Sequence, residues 1–217
     1  MPIHELANRP HRPVVPTVRT EPVQERSVTR IDALLDAAAE VVDQVGFDRL
    51  TTAMVAERAG ASIGTVYRYF PDRIALLQSL RERATYRYRL LAVERIELLK
   101  PASWDAVVDL TIDAYADMYR CEKGFRITRF LDTERGGTRT PFDESQLDFF
   151  AKLAANILVE DYALPQGDEL VLRLACCAEI VSSLVGRAFA APGTAADERF
   201  IVEARRMVRA YLGSYYS

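Results

Sequence analysis

Residues 51–70 read TTAMVAERAGASIGTVYRYF, from Thr51 to Phe70, and the fold turns on this run. It holds two short helical segments, 52–59 and 63–69, parted by Gly60. Each segment opens on a hydroxyl residue, Thr51 and Ser62, of the kind that accepts a backbone N–H at a helix start. Gly60 supplies the left-handed conformation of a tight turn. Ala56 leaves room where one helix crosses the other, and Val55, Ala59, Ile63 and Val66 are the expected apolar seam. The remaining polar positions, Ser62, Thr65, Tyr67 and Arg68, then collect on one outward face. Two short helices crossing steeply and presenting such a face form a helix-turn-helix, whose second helix enters the DNA major groove.

Working outward, the chain stays helical. Ile31, Leu34, Leu35, Ala38, Val42 and Val45 recur at three- and four-residue steps, with Gly46 as the expected cap. Pro71-Asp72 opens a long helix carrying Ile74, Leu77, Ala84 and Leu91, which Lys100-Pro101 stops. Five further helices are expected over 103–121, 124–134, 142–163, 168–190 and 196–215, separated by the Gly- and Thr-bearing loop 135–141 and by turns at 165–167 and 191–193. No stretch alternates as a strand does. The expected fold is all-α with about nine helices. A disordered arm, 1–27, holds five prolines and both histidines. It precedes a three-helix DNA-binding domain, 28–72, and a helical ligand-binding and dimerisation domain, 73–217.

Composition removes several classes. Net charge is −3, and residues 1–83 hold 11 Arg against 11 Asp and Glu, so DNA contact rests on local placement of Arg rather than a global basic field. Cys121, Cys176 and Cys177 make no disulfide framework and read as reduced thiols of a cytoplasmic protein. The N-terminus lacks the apolar run of a signal peptide, and the apolar stretch 170–191 carries Arg173, Glu179 and Arg187, which a membrane span would not. With both His in the arm, no nucleophile–His pair forms in the folded region. There is no Cys-x-x-Cys, no His-x-x-x-His, and no phosphate-loop or dinucleotide glycine motif. No catalytic residue, cofactor or metal is therefore expected. Asp109 and Asp113 read as a solvated helix face.

The segment resembles the TetR family of regulators. The matching residues are Thr51-Thr52, Val55-Ala56, Ala59-Gly60, Gly64 through Phe70, and Arg73 with Leu76-Leu77; where Arg73 stands, family members usually have Lys. The resemblance implies a role for each position. Ser62, Ile63, Gly64 and Thr65 open the recognition helix at the major groove, Tyr67 and Arg68 read bases and phosphates, and Tyr69 bonds a phosphate. Arg73 clamps another phosphate, while Thr51 and Thr52 reach the backbone from the preceding helix. Each has a plainer alternative: Gly64 as a packing requirement, Thr51 as a cap, Tyr69 and Phe70 as core. The arm's arginines are either a tail without a role or minor-groove contacts that add affinity by counterion release.

The C-terminal helices are rich in aromatics. The expected ligand-lining residues are Trp104, Tyr115, Met118, Tyr119, Phe125, Phe130, Phe149, Asn156, Cys176 and Glu179, each with simple core as its alternative. Glu179 sits among Ala, Cys, Ile and Val, where a buried carboxylate would need a partner. Ala175, Ala178, Ser182 and Gly186, with the stripe Ile201, Ala204, Val208, Tyr211 and Tyr215, form the expected homodimer surface, intrachain packing being the alternative. The resulting expectation is a homodimeric repressor, released from a palindromic double-stranded DNA operator by a small apolar or aromatic effector. An activator, a regulator under protein control and a helical adaptor without DNA binding remain as alternatives.

Overall fold

The computed structural model describes residues 21–129, 141–190 and 195–216, leaving the side chains of 21–26, 128–129, 141–150 and 153 aside. Eight α-helices are found there: α1 (Glu21–Val45), α2 (Thr52–Arg58), α3 (Ile63–Tyr69), α4 (Arg73–Leu99), α5 (Trp104–Cys121), α6 (Pro141–Tyr162), α7 (Asp168–Ala188) and α8 (Glu198–Gly213), with a 3-10 segment at Phe125–Arg129. The fold is all-helical, as the periodicity required. Helix α1 is described from Glu21, inside the expected arm, and residues 1–20 lie outside the description.

The described chain forms two compact units, and the division falls inside α4, between Arg87 and Tyr88, rather than at residues 72–73. The first unit contains α1–α3, α4 as far as Arg87, and the segment after α5 that starts at Cys121. Its core is Leu34, Leu35, Ala38, Val42, Leu50, Val55, Val66, Phe70, Leu76, Leu77 and Leu80, all buried. Arg83, only 5% exposed, donates to Asp36 Oδ1 at 2.7 Å; burial lowers its pKa from the ordinary value, although Asp36 opposes the shift.

The segment after α5 departs from expectation. In place of the helix expected over 124–134 the structure has a short 3-10 segment, and residues 130–140 lie outside the description. Gly124 adopts φ +72° and lies so close to α1 that a Cβ there would stand 2.7 Å from Ala39 Cα. Its N–H donates to Asp43 Oδ1 at 3.0 Å, Lys123 pairs with Glu40 at 2.8 Å, and Arg87 pairs with Glu122. Phe125 and Ile127 are consequently buried in the first unit.

The second unit holds α4 from Tyr88, α5, α6, α7 and α8. Here α8 packs on α7, burying Ile201, Ala204, Val208 and Leu212. That corrects the expected dimer stripe: its first three members are spent within the chain, while Tyr211 is half-buried and Tyr215 exposed. The acidic positions of α5 face arginines. Asp109 accepts from Arg209 Nε at 2.9 Å, Asp113 pairs with Arg205, and Asp117 accepts from Arg95 and Arg120, each at 2.7 Å. Asp109 and Asp113 therefore belong to an ion-pair ladder between α5 and α8. No helix among the described residues is long and apolar enough to cross a membrane.

Candidate nucleic-acid interface

The helix-turn-helix is held by its ends. Thr51 Oγ1 accepts the Met54 N–H at 3.2 Å, Ser62 Oγ accepts the Thr65 N–H at 3.1 Å, and Gly60 makes the turn at φ +58°. Both caps are therefore in use, as their residue types suggested. Arg58 fastens α2 to α1, donating to Glu40 at 3.1 Å and to Gln44 at 2.6 Å. Val55, Ala56 and Val66 are buried, which fixes the rotation of α3 about its axis. Ile63, expected in the seam, is instead exposed, because only Val66 of the recognition helix turns fully into the unit.

That rotation places the expected contact residues as follows. Ser62, Ile63, Gly64, Tyr67 and Arg68 are exposed; Thr65 and Tyr69 are half-buried; Phe70 is core. The Arg68 guanidinium lies 6.0 Å from the centre of the Tyr69 ring. Ser62 Oγ and Thr65 Oγ1 are 2.9 Å apart. A Cβ built on Gly64 would meet nothing closer than Ser62 Oγ at 3.8 Å, so packing within the chain does not require glycine there.

Two expected contacts are placed otherwise. Arg73 turns inward: Nε donates to Leu50 O at 2.9 Å, and one terminal nitrogen donates to Phe47 O at 2.7 Å and Asp48 O at 3.0 Å. The planar fork of Arg73 fits three carbonyls of the turn after α1, a task a single ammonium would do less well. Thr52 is 8% exposed, and its hydroxyl donates to Tyr67 Oη at 3.2 Å. The Thr51-Thr52 pair thus divides its work: the first residue caps α2 and the second, one helical step on, turns in toward α3.

The expected ligand residues do not form one constellation. Tyr115 and Met118 are buried and Tyr119 half-buried on α5, and Trp104 is half-buried at its start. The Tyr115 ring stands 5.2 Å from Tyr88 and 5.5 Å from Tyr119, and Tyr119 stacks on Phe189 at 5.1 Å. Phe125, 1% exposed, belongs to the first unit, because the left-handed Gly124 turns it under α1. Asn156, Cys176 and Glu179 are exposed in the chain, so Glu179 is not the buried carboxylate its apolar neighbours suggested. Phe130 and the Phe149 side chain lie outside the described residues. Burial pushes the Cys177 thiol up to about 12, which leaves it inert at neutral pH. Among the described residues no group of three or more His, Cys, Asp or Glu could hold a metal ion.

Comparison with known proteins gives a consistent picture. Residues 34–80 match the model of bacterial regulatory proteins of the tetR family, and residues 102–216 match a tetracyclin repressor-like C-terminal domain. The HTH-type transcriptional regulator BetI of Cronobacter sakazakii is 32% identical over 92 residues, 42% of this chain and 43% of that protein. A BetI from Escherichia coli is 31% identical over 84 residues, 39% of this chain and 43% of its own length. The chain thus spans less than half the length of these curated relatives. Among solved structures, a TetR-family transcriptional regulator from Streptomyces coelicolor is 31% identical with a TM-score of 0.70, over 85% of this chain and 98% of that one. The fatty acid degradation regulator FadR from Bacillus halodurans shares the fold at 16% identity and a TM-score of 0.62, over 82% of this chain and 96% of that one.

Proposed function

The chain belongs to the TetR family of DNA-binding transcriptional regulators, and from that premise we propose that it is a repressor. A homodimer holds a palindromic operator through two copies of α3, and a small apolar or aromatic molecule in the C-terminal unit releases it. The observation that carries the DNA-binding half is the exposed face of α3, where Tyr67 and Arg68 stand out beside an uncrowded Gly64 on a helix whose rotation Val66 fixes. Tyr67 and Arg68 read the duplex, Ser62, Ile63, Gly64 and Thr65 approach it at the start of α3, Thr51 touches its backbone, and Tyr69 supports Arg68. A single seven-residue helix spans few base pairs, so two half-sites about one duplex turn apart are read together.

The effector class follows from the aromatic run Tyr88, Tyr115, Tyr119 and Phe189. A flat aromatic guest there would find ring faces and edges to pack against, contacts worth about 0.5–1.5 kcal/mol per ring pair. It releases DNA only by binding the DNA-free state more tightly, and a tenfold preference is worth about 1.4 kcal/mol.

The test starts from an operator selected with the full chain out of a random duplex pool. Anisotropy titrations at fixed salt are then made with Arg68→Ala and Tyr67→Ala. Each variant loses about five- to a hundredfold in affinity while the thermal transition stays in place. Unchanged affinity in both would remove the assignment of this face, and the operator's position relative to a promoter separates repression from activation.

A further inference from the structure

Thr52 was expected at the DNA backbone, yet its side chain is more than nine-tenths buried, and its hydroxyl donates to the phenol oxygen of Tyr67, fifteen positions along the chain and 49% exposed. A phenol oxygen carries one proton, and the Tyr O–H both donates and accepts. Where Thr52 donates into the lone pair on the inner side, the phenolic proton turns outward. We infer that Thr52 is a positioning residue that sets Tyr67 as a hydrogen-bond donor toward the duplex, so that Tyr67 recognises an acceptor there. This deepens the function proposed above and rests on its assignment of the recognition face.

The acceptors of that chemistry are phosphate oxygens and the acceptor atoms of base edges in the major groove: purine N7, guanine O6 and thymine O4. The donor amino groups of cytosine and adenine are poorer partners, since Thr52 already donates to the Tyr67 oxygen. In the free protein, water satisfies a half-exposed phenol whichever way its proton points. Losing the Thr52 hydroxyl therefore changes folding little. In the complex water is displaced, and a phenol free to rotate must be reoriented against its neighbours. The contribution of Thr52 appears in binding, and only through Tyr67.

The experiment is a double-mutant cycle in the full chain, read as affinity for the selected operator and for a scrambled duplex at the same salt. Thr52→Val removes the hydroxyl at nearly constant shape, Thr52→Ser keeps it, and Tyr67→Phe removes the phenol oxygen. Expected are losses of about three- to tenfold for Tyr67→Phe and somewhat less for Thr52→Val, with the double variant no weaker than Tyr67→Phe alone and Thr52→Ser close to the parent. A penalty on the operator alone assigns the acceptor to a base edge, and an equal penalty on the scrambled duplex assigns it to phosphate. If Tyr67→Phe weakens binding but Thr52→Val leaves it unchanged, or still adds its full loss on top of Tyr67→Phe as an independent site would, the inference is overturned and the recognition face stands. If Tyr67→Phe changes nothing, the inference is overturned, while the face itself is decided separately by Arg68→Ala and Tyr67→Ala. Should Thr52→Val unfold, Thr52→Ala is measured in its place, and the thermal transitions of all variants identify any loss that is merely structural.

Discussion

Replacing Gly124 by Ala tests how the segment after α5 is seated on α1. The residue is at φ +72°, and an added Cβ would lie 2.7 Å from Ala39 Cα, 2.8 Å from Ala39 Cβ and 3.2 Å from Ala39 O. A left-handed conformation costs an L-residue about 1–2 kcal/mol. Carbon atoms settle near 3.5–4.0 Å apart, so a neighbour must move by about 1 Å. That neighbour is helical backbone rather than the end of a flexible side chain, and overpacking of this kind costs about 1–3 kcal/mol. The stiffer unfolded chain of an alanine returns about 0.4–1 kcal/mol. The net loss is about 1–4.5 kcal/mol. An upper limit comes from the other route open to the chain, which is to lift the segment and expose Phe125 and Ile127 at about 1.5–3 kcal/mol each. Gly46 is the control: it sits at φ +82° with nothing within 4 Å of a built Cβ, so Gly46→Ala meets the conformational cost alone. Urea unfolding followed by circular dichroism reads both variants. Trp104, the single tryptophan, lies in the other unit and reports that unit by fluorescence. Equal destabilisation by the two substitutions would refute the close approach as the cause.

Two further outcomes follow from the geometry. The carboxyl of Asp43 is held above its usual pKa by desolvation beneath the docked turn, against the opposing Gly124 N–H, Arg126 and Lys123. A raised folded-state value means the native carboxylate is penalised. The penalty is absent below the unfolded pKa near 3.9, builds as pH rises through the folded value, and is constant above it. Asp43→Asn, which keeps an oxygen for the Gly124 N–H, therefore raises the stability read by urea unfolding at pH 7 by less than about 1 kcal/mol, since the side chain is only partly buried, and has no advantage at pH 3. Gly64→Ala leaves stability unchanged or raises it by up to about 1 kcal/mol through helix propensity, yet weakens operator binding if the duplex backbone approaches that position. An unaltered operator affinity in anisotropy titrations would move the duplex away from the start of α3.

The helix-turn-helix was legible because its signals are local. Thr51 and Ser62 act on N–H groups three residues away, and Gly60 acts on its own backbone, so no distant part of the chain can overrule them. Other features depend on which face of a helix meets which partner. Glu179 lies among apolar neighbours in sequence and is exposed all the same; Phe125 looked like an aromatic of the second unit and is buried in the first. The α5 ladder was misread in part, since Asp109 and Asp113 stand four residues apart on one helix face and read as solvated. Its complement, Arg205 and Arg209, lies about ninety residues on and becomes visible only when α8 is laid beside α5.

The charge balance of the first unit takes on a different meaning once its arginines are placed. Residues 1–83 sum to zero, which counted against a nucleic-acid partner as long as every arginine was treated as available. Arg58 is held by Glu40 and Gln44, Arg73 by three carbonyls, and Arg83 by Asp36. These side chains do structural work: they fasten α2 to α1, close the turn after α1, and tie α4 to α1. Arg58 and Arg83 answer acids of the same unit, Glu40 and Asp36, while Arg73 is spent on backbone carbonyls, so part of the sum near zero describes internal pairing. What faces outward from α3 is Arg68 with the hydrogen-bonding groups of Tyr67 and Ser62. Arg68 is the one cation on α3, so what that helix itself contributes to binding depends on fit and hydrogen bonding more than on counterion release. The rigidity that Arg58, Arg73 and Val66 give to the two short helices then bears directly on that contribution, because hydrogen-bonding donors on α3 are useful only where they are aimed correctly.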